Sequence, residues 1–458
     1  MRLFALSSCL LLFTFLSPAL LAAKDNRPNI LLILADDFGR ELLPVYGGSS
    51  YETPHLDQLS KDGLTFETCY ATPLCAPSRV ELITSQYSFR SYKTWGEMNH
   101  QADTYVRRLR ESGYQTIMAG KWHMGGWDQE PPGIVTTGFQ RYCSYDYPVV
   151  IQECLKRKGN QYWGGQLLQD GVESRLEGYG PDVFSEYIIQ EIEARDPNKP
   201  FFAYYGMNLM HRPFYPTPDH PEAPKSGEPT PRDWMGPRGS AENFPTMVNY
   251  ADRIIGRLRA ALERMGLSEN TLVIFTADNG TDCVGEAKGI ESAYQGRMVS
   301  GGKYFPIERG ASVPLICSWP KGIKAGTKSN VLSDFPDLGI TLCELAGAEP
   351  VADSDGRSLL PVFKGGQPKP KAFVYTWGNF ERSSKRYKDP ANNLDYLLDV
   401  VRSPRWKLYS DGRLFDLKQD PFEEHPLSLD EDSPAAEKAR AALIEYREQL
   451  RASQPKLW

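Results

Sequence analysis

"NILLILADD" occupies residues 29–37, a run of branched aliphatic side chains that closes on an alanine and two aspartates. A run this short and this apolar reads as a strand buried on both faces. "TLVIFTADNG" (271–280) repeats the form and ends in Asp278 and Asn279. "TIMAGKWH" (116–123) and "PFFAYYGMNLMH" (200–211) are further strand-like runs, ending at Lys121, His123 and His211. Helical spacing takes over in "YVRRLRESGYQ" (105–115) and in "YADRIIGRLRAALERMGLSEN" (250–270). The second sets Ile254, Ile255, Leu258, Ala261 and Leu262 on one face and stops near Gly266. Strands alternating with helices predict an α/β fold, a largely parallel sheet sandwiched by helices.

Ligands of such sheets gather at the carboxyl ends of the strands. Each polar group there has a bland reading on its own. Asp37 suits a helix cap, Asn279-Gly280 a turn, Lys121 a solvated surface, a single histidine a structural role. Four such endings on one sheet edge, holding two of only six histidines, favour a site. Asp36, Asp37, Asp278 and Asn279 are hard oxygen donors, suited to Ca²⁺ or Mg²⁺. Such an ion neutralises an anionic substrate, while Lys121, Arg79 and a further lysine grip the oxygens of a tetrahedral anion. The histidines move protons near neutral pH. The set points to hydrolysis of a sulfate or phosphate ester, with the nucleophile still to be found. "CAPSR" (75–79) stands before a predicted helix, and for Cys75 a bridge, a metal ligand, a nucleophile and a modification site are all open.

A chain of 458 residues predicts one large domain and a smaller one. A formal charge of −6 without a basic face argues against nucleic acid as a partner. Residues 1–23 have Arg2, an apolar run broken by Pro18, and Ala22-Ala23, the form of a signal peptide; the product is expected to be exported, periplasmic or extracellular. The apolar stretch before Cys9 is too short for a lipoprotein signal, and no later run suits a membrane span, so no stable membrane association is expected. Seven cysteines follow the signal, an odd number, so at least one is unpaired or altered; Cys143 and Cys154 are the best bridge candidates. Cys317 and Cys343 read as buried hydrophobes. The composition changes at "GGQPKPK". Residues 24–366 are expected to form the catalytic domain. Residues 367–458 are expected to form an α+β subdomain, an antiparallel sheet with turns at Asn379, Ser403-Pro404 and Asp411-Gly412, then a helix from about Pro434 to Ser453.

Read together, "RPNILLILADD", "TPHLDQLSKDGLTF" (53–66), "CAPSR", "GKWH", "TADNG" and "GGK" (301–303) resemble the type I sulfatases of the alkaline phosphatase superfamily. The resemblance covers most of the chain, and "CAPSR" matches the family's C-x-P-S-R modification motif. It implies an alkaline-phosphatase-like fold and a maturase that oxidises Cys75 to formylglycine. One hydroxyl of the hydrated aldehyde attacks sulfur; the other, once deprotonated, expels sulfate. By motif, one Ca²⁺ is held by Asp36, Asp37, Asp278, Asn279 and the modified Cys75. Arg79 orients the hydrate, Lys121 and Lys303 hold sulfate oxygens, His123 takes the proton that releases sulfate, and His211 protonates the leaving alcohol. The implied substrate is a sulfated polysaccharide or glycosaminoglycan. Three departures stand out. Met210 replaces a proline common before the leaving-group histidine, "TSQ" (84–86) replaces T-G-R or T-G-K, and Arg309 is displaced and expected to face the substrate. Tyr145, Tyr147, Trp163 and Tyr215 fit either sugar stacking or loop packing. The rival readings are a broad arylsulfatase, a phosphoester or phosphonate hydrolase, and a glycan-binding protein with unmatured Cys75. His55, His100, His220 and His425 lack the spacing a two-zinc phosphatase needs.

Overall fold

The computed structural model describes residues 25–156, 159–221, 223–224, 239–378 and 398–453; the expected signal peptide and the turn at Asn379 lie outside them. The chain runs through β1 (Asn29–Ala35), α1 (Pro54–Lys61), β2 (Leu64–Phe66), β3 (Cys69–Tyr70) and α2 (Cys75–Thr84). A hairpin, β4 (Tyr92–Thr94) and β5 (Glu97–Met98), precedes α3 (Tyr105–Glu111) and β6 (Gln115–Lys121). Then come α4 (Gly133–Thr136), β7 (Arg141–Tyr145), α5 (Tyr147–Leu155), β8 (Gln166–Gln169), β9 (Val172–Arg175), α6 (Gly180–Ala194) and β10 (Phe201–Gly206). The long helix α7 (Phe244–Arg264) leads to β11 (Thr271–Ala277), β12 (Glu291–Tyr294), β13 (Arg297–Ser300), α8 (Glu308–Ala311) and β14 (Leu315–Ser318). β15 (Thr327–Ser329), β16 (Ser333–Asp334), α9 (Phe335–Ala346) and α10 (Leu360–Phe363) complete this part. The C-terminal part holds β17 (Val374–Thr376), β18 (Val400–Arg402), β19 (Trp406–Tyr409), β20 (Leu414–Asp416) and α11 (Pro434–Ala452).

Ten strands form the main sheet in the order β15-β2-β14-β11-β1-β10-β6-β7-β8-β9. Its centre, β11-β1-β10-β6-β7, is parallel throughout. β1 is the hub, and Ile30 to Ala35 have no solvent exposure. Strand alternation covers both faces. Along β10, Phe202 packs edge-on against Tyr105 of α3, while Tyr205 on the opposite face donates to the Pro181 carbonyl of α6. The α/β sandwich with a small antiparallel sheet is therefore the observed architecture. No helix among the described residues is long and apolar enough to cross a membrane.

The four C-terminal strands form an antiparallel sheet with α11 against β18 and β19. Its core takes in Tyr87 and Phe89, which follow α2 directly, along with Tyr375, Val401, Leu408 and Leu443. Glu308 of α8, five residues beyond Lys303, meets Lys407 of β19 at 3.0 Å and the Tyr70 hydroxyl at 2.5 Å. Burial opposes its charge, but Lys407 and Arg402 prevail and lower Glu308 to about 2. The C-terminal sheet thus braces the segment that carries Lys303.

The cysteine bridge expected between Cys143 and Cys154 is not formed. Cys143 is a free, buried thiol on β7, set between Ala119 of β6 and Gln169 of β8, and its side chain is spent on sheet packing. The Cys154 side chain lies outside the described residues. Cys317 and Cys343 are buried, as expected of small hydrophobes.

Lys371, the last residue of the "GGQPKPK" segment, is nine-tenths buried and touches both Asp334 and Asp337 at 2.6 Å. Burial and then Asp337 push Asp334 up to about 7, with Lys371 opposing. Removing the lysine leaves two buried carboxylates facing each other. Lys371→Met is expected to lower unfolding stability by about 3–5 kcal/mol, read from urea denaturation. A loss under about 1 kcal/mol would show that the contact is solvent-screened.

Candidate active site

The carboxyl ends of β1, β6, β10 and β11 converge because these strands are parallel neighbours in register. Ala35 pairs with Ala277, and Gly206 with Gly120. Asp36 and Asp278 follow the first pair and Lys121 follows Gly120, and these three enter the same space. Asp36 is wholly buried and its Oδ2 lies 2.6 Å from the Lys121 Nζ. Asp37 takes a left-handed backbone, φ 58°, which turns its carboxylate back toward Lys303 Nζ at 2.7 Å and the Asn279 amide at 2.8 Å. It is not a helix cap. Asp278 Oδ2 accepts from Arg79 Nη2 at 2.6 Å and Nε at 3.0 Å, the two-pronged grip that a guanidinium offers. Arg79 also donates to the Lys121 carbonyl at 2.8 Å.

This packing leaves acids uncomfortably close. Burial first, and then Asp278, raises Asp36 above the usual carboxylate range, against the pull of Lys121 and Arg79. Burial raises Asp37 to about 6, opposed by Lys303 and reinforced by Asp36 and Asp282. Two wholly buried oxygens, Asp36 Oδ1 and Asn279 Oδ1, have no hydrogen-bond partner. Orphaned hard oxygens among crowded carboxylates fit a divalent ion of the calcium type. Ligand atoms of Asp36, Cys75 and Asp278 lie within 4.8 Å of one another, as do those of Asp36, Asp37 and His211.

Cys75 is the first residue of α2 and is 3% exposed. Burial pushes its thiol up to about 11 despite Lys121 and Lys303 nearby. It is therefore a thiol at neutral pH, and a weak nucleophile in that form. His123 Nδ1 is 3.4 Å from its sulfur. His123 is held at φ 53°, and its Nε2 is buried without a partner. Burial, with repulsion from Lys121, Arg79 and Lys303, drives it well below the ordinary histidine value, so the ring is neutral.

His211 completes the set. Its Nδ1 lies 2.6 Å from the Arg212 carbonyl, which can only accept, so Nδ1 carries the proton. Its Nε2 faces the Tyr147 hydroxyl at 3.0 Å. Burial and then Lys121 and Lys303 lower its proton affinity as well.

All ten residues expected at the site, Asp36, Asp37, Cys75, Arg79, Lys121, His123, His211, Asp278, Asn279 and Lys303, meet here. Arg309 does not face this cluster. It donates to the Ser300 carbonyl and lines a separate cavity of about 180 Å³ with Arg40, Glu41 and Arg402, because Gly280 and Gly302 pack against its backbone and turn it outward. Of the four aromatic candidates, Tyr145 and Trp163 are core residues, and Trp163 donates to the Pro216 carbonyl. Tyr215 packs against that core, so loop packing is the answer for all three. Tyr147 alone reaches the site. Trp95 was not anticipated. It sits at the β4-β5 hairpin tip, 42% exposed, with its ring 5.2 Å from that of His123 and 5.9 Å from that of Tyr147. Gly96 beside it, φ 68°, leaves room for His123: a Cβ there would fall 3.1–3.2 Å from the imidazole. A Trp-Gly pair between short strands is the one signal that marks this tip in the sequence.

Known proteins share the sequence family and the fold of this chain. The Sulfatase family model matches residues 28–348, and the model for the C-terminal part of N-sulphoglucosamine sulphohydrolase matches residues 302–451. The N-acetylgalactosamine-6-sulfatase of Canis lupus familiaris is 28% identical over 89% of this chain and 83% of its own. The N-acetylglucosamine-6-O-sulfatase of Bacteroides thetaiotaomicron is 26% identical over 87% of this chain and 82% of its own. A solved structure of a protein in complex with its substrate D-glucosamine-2-N,6-O-disulfate has the same fold, with a TM-score of 0.72 and 23% identity over 94% of this chain and 99% of that one. With its matched family model, its relatives and its fold in accord, the chain belongs to the sulfatase family of hydrolases, within the alkaline phosphatase superfamily.

Proposed function

We propose that this enzyme removes sulfate from a sulfated carbohydrate, using Cys75 converted to formylglycine and one Ca²⁺ held by Asp36, Asp37, Asp278, Asn279 and the modified side chain. The observation that carries the reading is Cys75 itself. It is buried and protonated as a thiol, yet His123 Nδ1 lies 3.4 Å from its sulfur and the charges of Lys121, Lys303 and Arg79 are close enough to act on it. Its sulfur marks where the oxygens of an aldehyde hydrate would lie. That hydrate supplies one hydroxyl to attack sulfur and a second to expel sulfate. The ion, when bound, supplies positive charge against the sulfate oxygens.

The chain's own groups do the rest. Lys121 and Lys303 turn from Asp36 and Asp37 to hold sulfate oxygens. Arg79, fixed by Asp278 and the Lys121 carbonyl, keeps residue 75 oriented. Neutral His123 accepts a proton at Nδ1, the nitrogen that faces residue 75. A sulfate ester's negative charge beside His211 favours the imidazolium, whose Nε2 then gives a proton to the leaving oxygen. The relatives named for N-acetylhexosamine 6-sulfates favour an amino-sugar sulfate as substrate. Export through the N-terminal signal, a formylglycine-generating maturase as partner, and division into residues 24–366 and 367–458 belong to the same reading.

The test is hydrolysis by purified, matured protein of sulfate and phosphate esters of one chromogenic phenol, then of defined sulfated saccharides with the released position read by NMR. Preference for the phosphate ester would overturn the reading. Chelation is expected to cost at least about tenfold in rate, restored by Ca²⁺, and Ca²⁺ at a hundredfold excess over its dissociation constant is expected to add about 2.7 kcal/mol of stability. Full activity in the chelated protein would remove the ion from the mechanism.

A further inference from the structure

Tyr147 is the first residue of α5, joined to the end of β7 through Asp146 alone. α5 is anchored by Val150, which is wholly buried in the main core, and by Glu153, which accepts from the Gln166 backbone N–H of β8 at 3.0 Å. The Tyr147 ring is surrounded by groups of the active site. It lies 4.1 Å from the His123 ring, centroid to centroid, with Lys121 Nζ 4.6 Å from its centre. Trp95 flanks it on the solvent side and Tyr145 at 6.5 Å on the inner side. Its hydroxyl takes the Nε2 of His211. A neutral imidazole nitrogen has one lone pair, in the ring plane, so it accepts one partner at a time. The leaving oxygen of a substrate needs that same position to receive its proton. Tyr147 and a productively bound substrate therefore exclude each other.

What Tyr147 puts there is itself informative: a six-membered ring bearing an oxygen. We propose that Tyr147 is a built-in stand-in for the leaving group. The slot it fills, between Trp95, His123 and His211, is the subsite for a six-membered ring attached to the scissile oxygen, directly or through one carbon. In the free enzyme Tyr147 keeps water from His123 and His211. On binding, the Tyr147 side chain turns out of the slot while α5 stays anchored, and the substrate ring takes its place against Trp95, whose half-exposed indole offers the stacking area that a sugar or aryl ring needs. This deepens the proposed function by naming a leaving-group subsite, and it rests on that reading only for the identity of the ring.

The slot can be tested without turnover, using p-cresol, the side chain of tyrosine as a free molecule. Tyr147→Ala opens the slot. Millimolar p-cresol is expected to raise the melting temperature of Tyr147→Ala by a few degrees and to leave the parent and the double variant Tyr147→Ala/Trp95→Ala unmoved. In matured enzyme, Tyr147→Ala is expected to lower KM for a ring sulfate several-fold, because self-competition is gone, and to become inhibited by p-cresol at about tenfold lower concentration than the parent. Equal p-cresol responses in parent and variant would overturn the slot. A raised KM, or a fall in kcat alone, would make Tyr147 a fixed wall or positioning residue and overturn the stand-in. If the parent cleaved no sulfate ester, the proposed function would fail while the p-cresol shift still decided the slot.

Discussion

Cys75→Ala is expected to fold as the parent does and to lose sulfate-ester hydrolysis by at least about 10⁴-fold in kcat/KM. The side chain is buried at the start of α2, and a methyl in place of a thiol leaves a small gap, costing about 1–2 kcal/mol of stability. Thermal unfolding and kinetics separate the two effects. Activity above about 1% of the parent in the folded variant would mean that residue 75 is not the nucleophile. A serine gives a sharper version of the same experiment. Cys75→Ser keeps one hydroxyl in place, so it is able to attack once. It has no second hydroxyl on the same carbon to push sulfate out. The expected result is release of about one equivalent of alcohol followed by a stall, with sulfate retained on the peptide that contains residue 75. Steady turnover by Cys75→Ser would show that water, brought in by another group, resolves the intermediate.

The unmodified thiol is a poor alternative for a physical reason. A thiol held at about 11 is almost fully protonated at neutral pH, and the neutral His123 beside it withdraws its proton only at a cost. Mass spectrometry of the purified protein settles the form of residue 75, and an intact thiol in active enzyme would sink the proposed mechanism. It also tests whether "TSQ", in place of the usual glycine and basic residue, slows conversion. In the folded chain Ser85 caps α2 with φ 54°, a position where glycine is the easier choice.

Much of this was legible in the sequence because β1, β6, β10 and β11 are buried on both faces. Their unbroken apolar runs stop where the sheet stops, so the first polar residues mark the site. Asp36, Lys121 and Asp278 are found by that rule, whereas β10 stops at Gly206 and His211 lies five residues beyond it, at the end of a longer apolar run. Side chains whose position depends on how two irregular segments approach each other were not legible. Trp95 reaches His123 only because the β4-β5 hairpin folds over it, with Gly96 permitting contact. Tyr147 was one of four equivalent aromatic candidates in sequence, and only its place at the start of α5 separates it from Tyr145 two residues earlier, which points into the core. The burial of Lys371 was not legible, because its two acidic partners, Asp334 and Asp337, lie more than thirty residues away in the chain. Cys143 looked like half of a bridge by spacing, whereas its strand register commits it to the sheet.

His211→Gln carries the other large effect, and its size depends on the substrate. A sugar alkoxide is a poor leaving group and needs a proton as the bond to sulfur breaks. Loss of a positioned acid costs about 10²–10⁴-fold in such a reaction. A nitrophenolate leaves without help, so the same variant is expected to lose less than about tenfold on 4-nitrophenyl sulfate. The comparison decides between two roles that the geometry places side by side. His211 groups with Asp36 and Asp37 closely enough to touch a shared ion, and it also presents Nε2 toward the slot that Tyr147 occupies. An acid gives the unequal losses just described. A metal ligand gives equal losses on both substrates, together with weaker calcium-dependent stabilisation in thermal unfolding. The acid is favoured because Nδ1 is committed to the Arg212 carbonyl, which leaves Nε2 directed at the slot where the leaving oxygen belongs, and because Asp36 and Asn279 each have an unpartnered oxygen for the ion. Equal losses on the sugar and the nitrophenyl ester, in a variant that still folds, would reverse that assignment.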